Sequence, residues 1–181
     1  IRKTAGYRGK EKMIRRQVTV IGSHEDTAFL DDAYEIGRHI ASRGWTLVCG
    51  GRGGIMEAAS HGAADAGGIV LGILPGSDFS EANRYCSAVV ASGIGFARNS
   101  MNVLSGEVVV AFGGGMGTLT ELAYAYQYGR PVILCVFSDG WSSRFAEFTK
   151  TGGDKPSVYE VHSVEEAISL LDSLLEGGQG L

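Results

Sequence analysis

Two glycine clusters stand where a backbone could close around an anion. Gly50-Gly51-Arg52-Gly53-Gly54 follows the apolar run Trp45–Cys49, and Gly113-Gly114-Gly115-Met116-Gly117-Thr118 follows Val108–Phe112. A third, shorter turn, Gly22-Ser23, follows Val18–Ile21. Glycine permits a tight turn and lets main-chain N–H groups come close to a ligand. The amides that open a helix carry partial positive charge and favour phosphate. Two such loops at strand-to-helix junctions predict a ligand carrying a phosphate and a further polar group. The competing reading is a pair of tight turns that hold nothing.

Three side chains compete for chemical roles beside those loops. Glu121 follows the second loop, where it could bind a sugar hydroxyl or orient water. Thr118-Leu119-Thr120-Glu121 is equally a capping box, in which Glu121 would bond back to the Thr118 amide. Arg98, followed by Asn99 at an expected helix start, could clamp a phosphate with both guanidinium edges; a solvated arginine is the commoner outcome. Arg52, inside the first loop, could cover a bound phosphate or point to water. No second carboxylate is placed near Glu121 by spacing, so a two-carboxylate glycosidase pair is not indicated. Asp139 and Glu57 also follow strand ends, without a readable direction.

Other chemistries are excluded by what is missing. The five lysines stand at 3, 10, 12, 150 and 155, so the interior of the fold offers none for a pyridoxal phosphate Schiff base. No P-loop string and no G-x-S-x-G elbow occurs. His24, His39, His61 and His162 show no metal-ligand spacing with one another or with the cysteines. No metal site is expected, and no cofactor is expected to be required for folding.

These residues need elements to position them, and the chain alternates between two periodicities. Val18–Ile21, Trp45–Cys49, Ile69–Leu74, Val108–Phe112, Pro131–Phe137 and Val158–Val161 read as strands, with a further short one at Ser87–Ala91. Helical stripes occupy 27–43, Ile55–Ala66, Ala97–Leu104, Thr118–Tyr128 and Ser163–Leu175, the last opening with the capping box Ser163-x-x-Glu166. Ser138–Pro156 reads as loop-rich. Alternation of this kind predicts an α/β, Rossmann-like, doubly wound and mostly parallel sheet of about seven strands with helices on both faces. Its ligands would lie beyond the C-terminal strand ends, at the switch in strand order.

Composition sets the frame. The chain has 181 residues, 28 of them glycine and 44% apolar, which suits one domain with a full core over 17–176. Residues 1–16 carry seven basic side chains and one acid, hence +6 in a chain of net −4, leaving −10 on the rest. We read 1–16 as a flexible basic tail, and 177–181 as a second flexible tail. An acidic body with no basic face opposes nucleic-acid binding. No apolar run reaches the length of a membrane span, and no signal peptide is recognisable. Cys49, Cys86 and Cys135 read as small buried hydrophobes in a reducing cytoplasm.

Gly50-Gly51-x-x-Gly54-Ile55-Met56, together with Gly114-Gly115-x-Gly117-Thr118-x-x-Glu121, resembles the paired motifs of the LOG-type Rossmann-like family, long labelled "lysine decarboxylase". Some of its members are cytokinin riboside monophosphate phosphoribohydrolases. Gly113 stands where that signature has proline, Asn99 where it has lysine, and Glu57 where it has glycine. With Leu74-Pro75-Gly76-x-Asp78-x-Ser80-Glu81 and Gly93-x-Gly95-x-Ala97-Arg98-Asn99-x-x-Asn102, these departures are similar to the branch containing molybdenum cofactor carrier proteins. The resemblance implies a homodimer or homotetramer that binds a phosphorylated small molecule, with molybdenum cofactor as that ligand. The alternative it implies is hydrolysis of the N-glycosidic bond of a nucleoside 5′-monophosphate, with Arg98 and Glu121 as catalytic residues. Either ligand would lie against Gly22, Ser23, Gly50–Gly54, Arg98, Asn99, Gly114–Thr118 and Glu121.

Overall fold

Every residue of Val108–Phe112 is buried, as a strand must be when helices cover both faces of its sheet. Along it the side chains alternate. Val108, Val110 and Phe112 join a core with Ile36, Ile40, Ala59 and Leu171, while Val109 and Ala111 join another with Val103, Leu122 and Phe145. A computed structural model describes residues 14–151 and 157–176. Its strands are β1 (Gln17–Ile21), β2 (Thr46–Cys49), β3 (Ile69–Leu74), β4 (Ala88–Ala91), β5 (Val108–Phe112), β6 (Val132–Cys135) and β7 (Val158–Val161). Its helices are α1 (Leu30–Ser42), α2 (Ile55–Asp65), α3 (Asn99–Ser105), α4 (Met116–Gln127), α5 (Gly140–Thr151) and α6 (Val164–Glu176).

The seven strands run in the order β4-β3-β2-β1-β5-β6-β7, and all the pairings are parallel. Helices α1, α2 and α6 cover one face and α3, α4 and α5 the other. The chain winds outward from β1 in one direction, then returns to β1's other side with β5. The crevice between the loops that follow β1 and β5 is therefore the switch point. The expected α/β architecture is the observed one. Half of the expected capping box of α6 forms: Glu166 N–H donates to Ser163 Oγ at 3.3 Å, while Glu166 Oε2 reaches one residue past the cap and accepts from His162 N–H at 2.8 Å.

Three local readings change. The stretch expected to be loop-rich holds helix α5, whose serines turn inward: Ser142 Oγ donates to the carbonyls of Ala111 and Gly113, each at 3.2 Å. Residues 152–156 of that stretch lie outside the described residues. Helix α4 begins at Met116, two residues earlier than its apolar stripe suggests. Helix α3 begins at Asn99, after a 3-10 turn over Gly95–Arg98. Of the basic tail, 1–13 lie outside the described residues, as does 177–181. Arg16 is held to the fold: its carbonyl accepts from Thr46 N–H at 2.8 Å and its guanidinium meets Glu107 at 2.9 Å. Among the described residues, no helix is long and apolar enough to cross a membrane.

Candidate functional site

The second glycine loop owes its shape to its neighbours. Gly113 (φ +42°) and Gly114 (φ +90°) both occupy the left-handed region, so Gly113 holds a conformation closed to proline, whose ring fixes φ near −65°. Ser138 Oγ accepts from Gly113 N–H at 2.7 Å. Gly140 packs on the same turn so closely that a Cβ there would lie 2.7 Å from the Gly113 carbonyl carbon. Thr118 folds back onto Gly114. The chain then enters α4, whose first intrahelical bond runs from Leu119 N–H to Gly115 O. No side chain caps this helix. The N–H groups of Met116, Gly117 and Thr118 therefore have no partner among the described residues, and these residues line the crevice at the positive end of a helix.

Glu121 lies one turn further along. Because α4 starts at Met116, Thr118 is already inside the helix and the capping-box reading fails. Glu121 is 6% exposed; its Oε1 accepts from Asn102 Nδ2 at 2.8 Å and stands 3.8 Å from Arg98 Nη1. Asn102 was not singled out as a site residue from spacing. It lies one turn beyond Arg98 and Asn99, and its buried Oδ1 has no partner among the described residues.

Arg98 is 7% exposed rather than solvated. What buries it is the first glycine loop: a Cβ on Gly50 would lie 2.6 Å from Arg98 Nη1 and 2.8 Å from Nη2. Gly50 is thus a floor for the guanidinium. The buried Arg98 Nε makes no hydrogen bond to the described residues. Burial lowers the pKa of Arg98, offset in part by Glu121. A buried cation with a spare donor and free helix amides can hold a dianionic group that water would otherwise solvate.

These groups line a cavity of about 300 Å³. Of the residues expected at the ligand, Gly22, Ser23, Arg52, Arg98, Asn99, Gly115, Met116, Gly117, Thr118 and Glu121 line it. Asn99 Nδ2 also reaches Gly117 O at 3.4 Å. Gly50, Gly51, Gly53, Gly54 and Gly114 are not on its wall. They shape it from behind, and the Gly51 N–H is turned away, donating to Cys49 Sγ at 3.3 Å. Spacing missed His24, Glu25, Met56 and Phe96, which complete the wall. Glu57 and Asp139 face other cavities. Among the described residues no cluster of histidines, cysteines or carboxylates could hold a metal.

Burial pushes the Glu121 carboxyl up from 4.5 to about 7, against the pull of Asn102 and Arg98. The folded state then holds this proton more tightly than the unfolded chain. Its contribution to stability is whole below the unfolded value and is lost as pH rises through about 7. Glu121→Gln removes that loss. In thermal melts from pH 5 to pH 8 the variant's stability relative to the parent is expected to improve by about 2–3 kcal/mol, at ~1.4 kcal/mol per pKa unit. A difference that stays flat with pH would show that Glu121 does not carry this proton.

The molybdenum cofactor binding protein from the phototrophic bacterium Rippkaea orientalis matches with a TM-score of 0.79 at 36% identity, over 91% of this chain and 99% of that one. The molybdenum cofactor carrier protein from Chlamydomonas reinhardtii gives 0.77 at 34% identity, over 90% and 99%. A cytokinin riboside 5′-monophosphate phosphoribohydrolase of Mycobacterium tuberculosis is 32% identical over 114 residues, which span 58% of this chain and 61% of that protein. The SLOG cluster4 family matches residues 15–168, a span that takes in all seven strands and every residue lining the crevice; the chain belongs to that family.

Proposed function

We propose that this protein binds a phosphorylated small molecule without turning it over, and that its ligand is molybdenum cofactor. The observation that carries the reading is the buried Arg98 Nε, unpartnered among the described residues, in a residue that lines one cavity with Met116, Gly117 and Thr118 at the uncapped start of α4. The pterin phosphate would rest on those amides with Arg98 beneath it and Arg52 above, while Ser23 and Asn99 meet the remaining polar groups. The kinship with molybdenum cofactor proteins over 90% or more of the chain supports the choice of ligand. The working form would be a cytoplasmic homodimer or homotetramer, with no part for nucleic acid or membrane.

One observation favours a second reading. Glu121 is a buried carboxyl whose pKa of about 7 suits either protonation state near neutrality. In a phosphoribohydrolase the same cradle would hold a nucleoside 5′-phosphate. Glu121 would then steady the ribose or orient water as positive charge develops on the sugar. The two are separated by incubating the protein with a panel of nucleoside monophosphates and assaying for ribose 5-phosphate and free base, alongside calorimetry with molybdenum cofactor, molybdate and AMP. We expect tight cofactor binding and no turnover. Turnover that Glu121→Ala lowers by ~10²–10⁴ overturns the carrier reading.

A further inference from the structure

Two of the free cysteines meet behind the first glycine loop. Cys49 ends β2 and is fully buried; Cys86, half-buried, precedes β4. Strand β3 lies between those strands, and its residue opposite Cys49 is Gly72. The missing side chain of Gly72 makes the meeting possible, since a Cβ there would lie 2.8 Å from Cys86 Sγ. Cys86 fills that space, which sets its sulfur against the strand residue that pairs with Cys49. Ser60 Oγ stands 3.5 Å from Cys49 Sγ, and Gly51 N–H donates to it at 3.3 Å. The neighbouring Cys86 thiol, these contacts and the charge of Arg98 hold the Cys49 thiol below its ordinary range, while Cys86, beside Cys49 and partly buried, is pushed up. A buried core cysteine of the inert kind has apolar surroundings and a raised pKa, as Cys135 does.

The pair is wired to the crevice. Gly51 O accepts from Asn83 N–H at 2.8 Å, and Asn83 Nδ2 donates to Arg52 O at 3.1 Å, so the turn carrying Cys86 is laced to the loop. Gly50, next to Cys49, is the floor under Arg98.

We propose that Cys49 and Cys86 form a reversible disulfide under peroxide, which loosens the Gly50–Gly54 loop beneath Arg98 and so weakens the anion pocket. In the first step the Cys49 sulfur attacks one peroxide oxygen and the O–O bond breaks. Hydroxide leaves and takes up a proton as water, and Cys49 becomes a sulfenic acid. The Cys86 sulfur then attacks the Cys49 sulfur, the S–O bond breaks, and the hydroxyl departs with the Cys86 proton as a second water. Two thiols have given two electrons to one peroxide; a dithiol reverses the bond by exchange. Closing the sulfurs to ~2.05 Å draws Cys49 away from the Gly51 amide that it now accepts from.

The effect on affinity rests on the phosphate-ligand reading; the disulfide and the loosening of the loop do not. The full chain is treated with hydrogen peroxide, alkylated and peptide-mapped, then compared with the reduced form by hydrogen exchange over 50–54 and by calorimetry with AMP. We expect a Cys49–Cys86 linkage with Cys135 still a thiol, faster exchange over 50–54, and AMP affinity lowered tenfold or more, all reversed by dithiothreitol. Cys86→Ser should bind AMP as the parent does and ignore peroxide. Absence of the linkage, or a linkage that leaves exchange over 50–54 unchanged, overturns the proposal. If AMP fails to bind even the reduced protein, AMP falls as a ligand and the affinity arm with it, while linkage and exchange still decide this proposal.

Discussion

Arg98→Ala is expected to raise the Kd for a phosphorylated ligand ~100-fold or more, the largest loss of any substitution in the crevice. Two features set that size. The guanidinium is nearly buried and its Nε has no partner among the described residues, so its interaction with a dianion is little screened by water. Truncating one member of a buried, hydrogen-bonded charge pair costs about 2–5 kcal/mol, and 2.7 kcal/mol is already a hundredfold. The same substitution removes the cation beside Glu121, whose carboxyl keeps Asn102 among the described residues, so the buried group holds its proton more tightly and becomes an uncompensated charge only at alkaline pH. Arg98→Ala combined with Glu121→Gln removes that second effect. Calorimetry on the double variant then reads binding in a stable protein, and parental affinity there would remove Arg98 from the ligand. Arg98→Lys keeps the charge but not the fork, and should recover only part of the loss.

Why some of this was legible in the chain and some was not follows from the range of the forces involved. Val108–Phe112 and Val132–Cys135 are apolar throughout because both faces of a parallel strand are covered, and that pattern is local. The glycine loops declared themselves for the same reason. Helix α5 did not, because Ser142 and Ser143 spend their hydroxyls on carbonyls of Ala111, Gly113 and Val136 that only the fold brings near. Glu121 looked like a capping residue because Thr118-x-x-Glu121 fits the pattern; the start of α4 was set instead by Gly115 and the turn before it. The burial of Arg98 depends on Gly50, 48 positions away in the chain. The meeting of Cys49 with Cys86 depends on a gap in a third strand. Local pattern gave the scaffold and the loops; the pairings that tune charge and redox chemistry come from tertiary contact.

Gly37→Ala is expected to be the most destabilising single-methyl change in the molecule. Helices α1 and α2 cross with their backbones in contact at two reciprocal points. A Cβ on Gly37 would overlap the carbonyl oxygen of Ala59 and stand 2.7 Å from its carbonyl carbon, and one on Gly62 would overlap the carbonyl oxygen of Tyr34. Backbone atoms inside a helix cannot swing aside as a lysine tip would. To admit the methyl, the helices must part along a seam that includes Ile36, Ile40, Ala59 and Ala63, all fully buried. Overpacking of a tight core costs about 1–3 kcal/mol, occasionally more, and contact with backbone on both sides places this site at the top of that range. For a domain of this size ~3 kcal/mol lowers Tm by roughly 6–12 °C. Intrinsic propensity pushes the other way, since alanine in a helix gains ~1 kcal/mol over glycine. Gly117→Ala isolates that gain: Gly117 lies in α4, and a Cβ there meets nothing within 4 Å. In parallel melts Gly117→Ala should hold or raise Tm while Gly37→Ala drops it. Because the two substitutions differ only in what the methyl meets, a Gly37→Ala protein that melts with the parent would mean that the helices do not cross this closely, and that α2 has the freedom to shift the Gly50–Gly54 loop it carries.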